Sequence, residues 1–262
     1  LALEPGNPRK LENQKHWYHW MIWGRLGYNP ELGNDRFVRL IENHFPGVDG
    51  KKLFEAWEEA SMIYPKTTGF HWGALDFQWY IEACKSAPVY SNTPSGFHDV
   101  NRFISLPPHP GTGYQSIPDY VRMVVLKEKS ARVSPLDISL QIHTHSDRAL
   151  HLADQMKAGS NMELSNTLDD IRSIAWLGKY YAHKIHGATE LALYRETGDI
   201  KHQSVAVDQL TKALDYWVKY HRNAMKQYKN PLWTNRVGHV DWVKLTDEVR
   251  KDIDIAKELV SK

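Results

Sequence analysis

The sequence predicts an all-α fold: an irregular helical domain that ends in an up-and-down bundle of long helices, with one long Pro/Gly-rich loop. Three observations carry this expectation. Leu164, Leu168, Ile171, Ala175, Gly178, Ala182, Ile185, Thr189 and Ala192 alternate steps of four and three without a slip, a heptad-like seam rich in small residues. Val207, Leu210, Leu214, Trp217, His221, Ala224 and Tyr228 follow in the next segment, so large side chains can fill against small ones across an antiparallel helix pair. The β–α alternation that would signal a parallel sheet is absent from the pattern.

In chain order, the spacing predicts a first helix from about Lys10 to Gly24. Asn29 is placed to cap a second start, with Pro30 at its first position, where a missing amide donor costs nothing. Asn34 is expected to cap a helix carrying Phe37, Ile41 and His44. Asp49 opens the next, with Leu53, Trp57, Ala60 and Tyr64 in register and Pro65 as its stop. A further helix is expected from about Phe70 to Lys85. Between Ser86 and Ser116 the prolines and glycines rule out a long helix, yet Tyr90, Phe97, Phe103 and Tyr114 argue for an ordered loop pinned to the helices. Ser116 and Ser134, each followed by Pro and Asp within three residues, read as helix N-caps, the first helix ending near Leu126 and the second near Ala158. The seam helix, on the order of 50 Å long at 1.5 Å per residue, ends at Thr197-Gly198. Helices from about His202 to Tyr228 and from Thr246 complete the bundle. Residues 1–116 thus form an aromatic-rich region of short helices with the loop 86–116, and residues 117–262 the long-helix bundle, together one compact unit.

Charge is balanced, 33 basic against 31 acidic residues, with no basic block, so neither nucleic acid nor an acidic membrane surface has an electrostatic footprint. No apolar run approaches the roughly 20 residues of a membrane span. Cys84 is the only cysteine, which excludes a disulfide within the chain and a cysteine-based zinc site. The unusual feature is aromatic: 10 Trp, 13 Tyr and 7 Phe, with 14 His. Three of the tryptophans crowd into His16–Leu32, HWYHWMIWGRLGYNPEL, where aromatics on nearly every helical face predict burial on nearly every side.

Candidate chemistry is sparse. His143 and Asp147 are helical neighbours at i, i+4, but His145 points about 200° away, which favours a surface His–Asp pair over a metal site. His183, His186 and Glu190 share a face with Lys179 and Asp169, which reads as solvated, and the Glu-x-x-His pairs of di-iron bundles are missing. No nucleotide-binding loop, nucleophile elbow or zincin motif occurs. Glycosidase chemistry needs two carboxyl groups; Asp76, Glu82, Asp99, Glu55 and Glu59 are available, but helices alone rarely present such a pair. The best ligand-facing group is Trp72, Asp76, Trp79 and Tyr80, aromatic rings with a carboxylate beside the Pro-rich loop, suited to holding a sugar. No catalytic residue, metal or cofactor is assigned.

The segment Trp23-Gly24-Arg25-Leu26-Gly27-Tyr28-Asn29-Pro30 resembles the Gly-Arg-Leu-Ala-Trp-Asp-Pro-like stretch of α-glucuronidase-type glycoside hydrolases, and hexosaminidase-like families carry a similar phrase. Gly24, Arg25, Leu26 and Pro30 match; Tyr28 stands in place of the tryptophan and Asn29 in place of the aspartate. LDDIRSIAWLGKYYAHKIHGATELALYRETGD and ALDYWVKYHRNAMKQY are similar to the helical C-terminal parts of large carbohydrate-active proteins of polysaccharide-degrading bacteria. The resemblance implies the C-terminal part of a larger protein: a helical accessory domain that buttresses a catalytic barrel of the same polypeptide. It implies an oligo- or polysaccharide partner, an acidic polysaccharide as the expected substrate, an extracytoplasmic location, either periplasmic or secreted, and leaves a homodimer open. Trp20, Trp23, Arg25 and Asn29 would form the junction with the barrel. Two rival readings stand beside it: an independent helical polysaccharide lyase using Tyr and His as base and acid, and a non-catalytic scaffold.

Overall fold

A computed structural model of the 262-residue chain describes residues 12–72, 79–87 and 96–259. A 3-10 turn, Glu12–His16, leads into α1 (Trp17–Tyr28), followed by α2 (Asn34–His44), α3 (Gly50–Ser61) and α4 (Ile63–Phe70). Three two-residue strands, β1 (Trp79–Tyr80), β2 (Lys85–Ser86) and β3 (Gly96–Phe97), form a small antiparallel sheet in which Trp79 pairs with Ser86 and Lys85 with Phe97. Then come α5 (Val100–Ser105), α6 (Ile117–Leu126), α7 (Pro135–Asp154), α8 (Met162–Thr197) and α9 (Ile200–Ala224). A hairpin of β4 (Leu232–Thr234) and β5 (Gly238–Val240) precedes α10 (Trp242–Lys257). The fold is all-α, with strands only as short pieces.

The frame is α8, which packs against α3, α4, α5, α6, α7 and α9. Its small seam residues make that possible. A Cβ on Gly178 would stand 2.8 Å from Ile63 Cγ2 and collide with Ser146, and one on Gly187 would stand 2.8 Å from Leu210. Helix α8 starts on an Asn161 cap that accepts from the Leu164 amide and ends at Gly198, whose φ of 72° only glycine adopts at no steric cost. Ser134 and Asp137 form a reciprocal capping box at the start of α7, and Ser116 caps α6 through the Asp119 amide.

Several sequence expectations change. Asn29 starts no helix: it ends α1, and its Oδ1 accepts from the Glu31 amide at 3.0 Å in a local turn. The cap of α2 is Gly33, one residue before Asn34. Helix α3 stops at Ser61, and Pro65 falls instead in the first turn of α4, where backbone donors have no intrahelical acceptor. The helix expected over 70–85 is replaced, in its described part, by β1, a 3-10 turn (Ile81–Ala83) and β2; Cys84, at φ 46°, reverses the chain there. The predicted loop contains α5, capped by Asp99. Helix α9 stops at Ala224 and α10 begins at Trp242, with Asp241 as its cap.

The largest correction concerns α1. Trp17 stacks on His44 at 3.8 Å and Tyr18 on Trp57 at 4.4 Å, but the opposite face is open: Trp20 is 66 % exposed and Trp23 75 %. Arg25, Tyr28 and Asn29 are exposed too. Periodicity identified a face crowded with rings; no element of the described chain covers it.

Candidate functional site

The turn after β1 brings the strongest chemical feature of the described chain together. Tyr181 on α8 donates its hydroxyl proton to the Ile81 carbonyl, and Trp242 Nε1 on α10 donates to the Glu82 carbonyl at 3.4 Å. With Ile81, Ala83 and Cys84 buried on either side, the turn is pinned and the Glu82 side chain is held in place. Glu82 is half-buried as a residue, yet its Oε2 is sealed from solvent and has no hydrogen-bond partner among the described residues. Desolvation therefore raises its pKa, and its own backbone amide and the charges of Arg236 and Lys15 only partly offset this. Burial thus makes this carboxyl harder to ionise than an exposed glutamate.

The Glu82 carboxyl acts on the hydroxyls of Tyr64 (α4), Tyr181 (α8) and Tyr220 (α9), each raised above the ordinary tyrosine range chiefly by burial. Tyr220 also senses Tyr80 and Tyr228. Lys15 approaches from the N-terminal 3-10 turn: it pairs with Asp170 at 3.2 Å, hydrogen-bonds the Tyr228 hydroxyl and lies 4.7 Å over that ring. Gln227 Nε2 braces Asp170 at 3.0 Å. The Glu82 charge thus acts on these three phenols, and Arg236 and Lys15 act on it in turn.

Of the four residues expected to face a sugar, Tyr80 is half-buried in β1, two residues before Glu82 in the chain. Trp79, next to it, is 5 % exposed; its ring lies parallel to His98 at 5.9 Å and edge-on to His71 and Tyr181, so it packs in the core. Trp72 is half-buried, edge-on to His109 at 4.5 Å, with its amide donating to the Pro107 carbonyl. Asp76 lies outside the described residues. Glu82 is one of five carboxyls that the sequence reading singles out, with nothing local to separate it from the other four. The signal that separates it is its burial, which depends on residues about 100 and 160 positions away.

Beneath β1 and β2 lies a second polar group. His71 Nε2 and His98 Nδ1 share a hydrogen bond at 2.7 Å, and His98 Nε2 meets Ser86 Oγ at 2.8 Å. The order Ser–His–His resembles a nucleophile relay, but all three side chains are buried and His71 stacks on Phe103 at 3.8 Å. Burial holds both imidazoles neutral, His98 with its pKa lowered to about 3. Nearby, Lys184 and Asp252 form a fully buried ion pair at 2.6 Å, with Asp252 Oδ1 accepting from the Val100 amide.

The other sequence candidates divide cleanly. His143 and Asp147 pair at 3.1 Å across one helical turn, whereas His145 turns to Glu59 at 2.6 Å on α3. The face expected to be solvated is partly buried: Lys179 is sealed between Asp147 and His143, and Glu190 is clasped by His202 at 2.6 Å and His186 at 3.7 Å. Among the described residues no three ligand-type side chains converge as a metal site would require, and no helix is long and apolar enough to cross a membrane.

No family model matches the sequence, and no curated protein matches it. Among solved structures, one described as a GH138 enzyme targeting pectin rhamnogalacturonan II overlays 98 % of this chain with a TM-score of 0.75 at 17 % identity. The fold is one that a glycoside hydrolase also carries. The chain spans 39 % of the length of that enzyme, so the likeness concerns one part of a larger molecule. At this identity it speaks for the helical architecture and not for an α-glucuronidase family.

Proposed function

We propose that this chain acts as the helical accessory domain of a glycan-degrading hydrolase of α-glucuronidase-like type, buttressing a catalytic barrel and contributing to the cleft for an acidic polysaccharide. The overlay carries the reading: nearly the whole chain corresponds to a minor share of a larger enzyme of that broad class. The open face of α1 supports it. Trp20 and Trp23 lie within or beside the segment that resembles the barrel-to-helix junction, and two solvent-facing tryptophans on one helix are an apolar patch suited to a packed neighbour. An extracytoplasmic location belongs to the same reading.

The test is titration of the purified chain with acidic and neutral oligosaccharides, following tryptophan fluorescence and product release together. Saturable binding without turnover is the expected result. Turnover by the chain alone overturns the accessory role in favour of an independent lyase or hydrolase. Neither binding nor turnover across pectic and glucuronate-bearing oligosaccharides leaves only a scaffold.

A further inference from the structure

We infer that the trough between α2 and α3, with Val38 and Phe54 as its floor and the Asp35–Arg39 and Lys51–Glu55 pairs as its rims, binds a neutral pyranose unit of a polysaccharide. The inference deepens the carbohydrate reading above and rests on it. The trough has a volume of about 430 Å³, within the roughly 300–1,000 Å³ of small-molecule sites. Steps of three and four residues bring Asp35, Val38 and Arg39 to one side of α2, and Lys51, Phe54 and Glu55 to one side of α3, so both stripes line the same space. Gly50 sets their separation: a Cβ there would stand 2.8 Å from the Val38 carbonyl oxygen and collide with Glu42, so α3 starts hard against α2.

Val38 and Phe54 are half-buried, whereas Asp35, Arg39 and Lys51 are exposed along the edges. On the α2 rim Arg39 donates to the Asp35 carboxylate one turn before it, and on the α3 rim Lys51 pairs with Glu55 at 3.8 Å. A pyranose matches this layout in both its parts. Its C–H face gains by leaving water against the Phe54 ring and the Val38 methyls. Each of its hydroxyls can donate one proton and accept another, so a hydroxyl can bridge a carboxylate and a cation that already stand side by side. Exposed ion pairs one helical turn apart contribute little to stability, so parting one to admit a hydroxyl costs the fold little.

Charge selects against an acidic sugar at this position. Asp35, Glu55 and Glu58 set three carboxylates around the trough against the two cations Arg39 and Lys51. A uronate carboxylate entering it meets a net negative field, which a neutral ring does not feel. The trough therefore suits the neutral units of a glycan.

The experiment is a two-dimensional NMR titration of the full chain with galactobiose, cellobiose, mannobiose and xylobiose, and with digalacturonate as the acidic counterpart of galactobiose. At least one neutral disaccharide should shift the amide signals of residues 34–39 and 51–58 saturably, and digalacturonate should bind about tenfold more weakly than the tightest of them. Phe54→Leu keeps the apolar volume and removes the flat ring; Arg39→Ala removes an exposed donor. Each should weaken the neutral sugar by about fivefold or more, while circular dichroism and the thermal midpoint show a folded chain. Glu55→Gln/Glu58→Gln should bring digalacturonate to within about threefold of the neutral sugar. Equal or tighter binding of digalacturonate by the wild-type chain, signals that move elsewhere, full affinity in Phe54→Leu or Arg39→Ala, or an unchanged gap in Glu55→Gln/Glu58→Gln overturns the site and leaves the carbohydrate reading standing. If neither neutral nor acidic disaccharide binds, both fall.

Discussion

Replacing His98 with glutamine and comparing stability at pH 7 and pH 5 probes the buried histidine pair directly. His98 sits between His71 and Ser86, with burial first and then the Arg102 and Lys184 charges lowering its pKa from 6.5 to about 3. His71 shifts the same way, from burial and the His98, Lys184 and Arg102 charges. Both folded-state values lie below the unfolded one, so the unfolded chain binds more protons in between. The stability this pair contributes is present above the unfolded pKa of 6.5 and drains away as pH falls toward the folded value.

At pH 5 the medium lies about 1.5 units below the unfolded pKa and still above the folded one. At ~1.36 kcal/mol per unit, His98 alone costs the folded state about 2 kcal/mol relative to neutral pH, and His71 adds in the same direction. Glutamine keeps one donor and one acceptor for His71 and Ser86 but does not titrate. Its baseline stability will differ from wild type at both pH values; the informative quantity is the change between them. Urea unfolding followed by tryptophan fluorescence should show His98→Gln losing about 2 kcal/mol less than wild type on going from pH 7 to pH 5. Equal losses would refute the assignment of acid sensitivity to this pair.

Other predictions follow from the same packing. Lys184→Met strands the Asp252 carboxylate in the core and should cost about 3–5 kcal/mol in urea unfolding, most of it recovered in Lys184→Met/Asp252→Leu; a single-variant loss below about 1 kcal/mol would show that the pair is not sealed. Two helical glycines should respond with opposite signs. Gly178→Ala drives a methyl into Ile63 and Ser146 and should destabilise by about 1–3 kcal/mol. Gly24→Ala meets nothing within 4 Å and should stabilise by up to ~1 kcal/mol through helix propensity; a thermal midpoint that falls in Gly24→Ala would contradict the open placement of α1. Trp20→Ser/Trp23→Ser should leave unfolding of the chain within about 0.5 kcal/mol, because neither ring is packed in it. A larger loss would mean that this face is buried within the chain itself.

What could be read from the sequence depended on how far apart in the chain the determining residues lie. The seam of α8 was legible because its period is local, and the Ser134–Asp137 box because both partners of the cap sit within four residues. The segment 79–86 misled the helical reading because Trp79 and Ala83, like Ile81 and Cys84, fall at helical spacing while β1–β3 pairing and the left-handed Cys84 decide the outcome. The rings of α1 misled for a different reason: periodicity says which residues share a face, not whether anything covers it. Glu82 is the limiting case. Nothing in its local sequence sets it apart from the other carboxylates in the first 116 residues. It is set apart only when α8 and α10 clamp the carbonyls of its turn and its Oε2 is left without a partner among the described residues. A site of this kind is built by tertiary structure from an unremarkable local sequence, so the residues to vary in testing it include Tyr181 and Trp242 as well as Glu82. Removing either clamp should return the carboxyl to solvent and lower its pKa toward the ordinary glutamate value, which an infrared carboxyl band lost in Glu82→Gln would report.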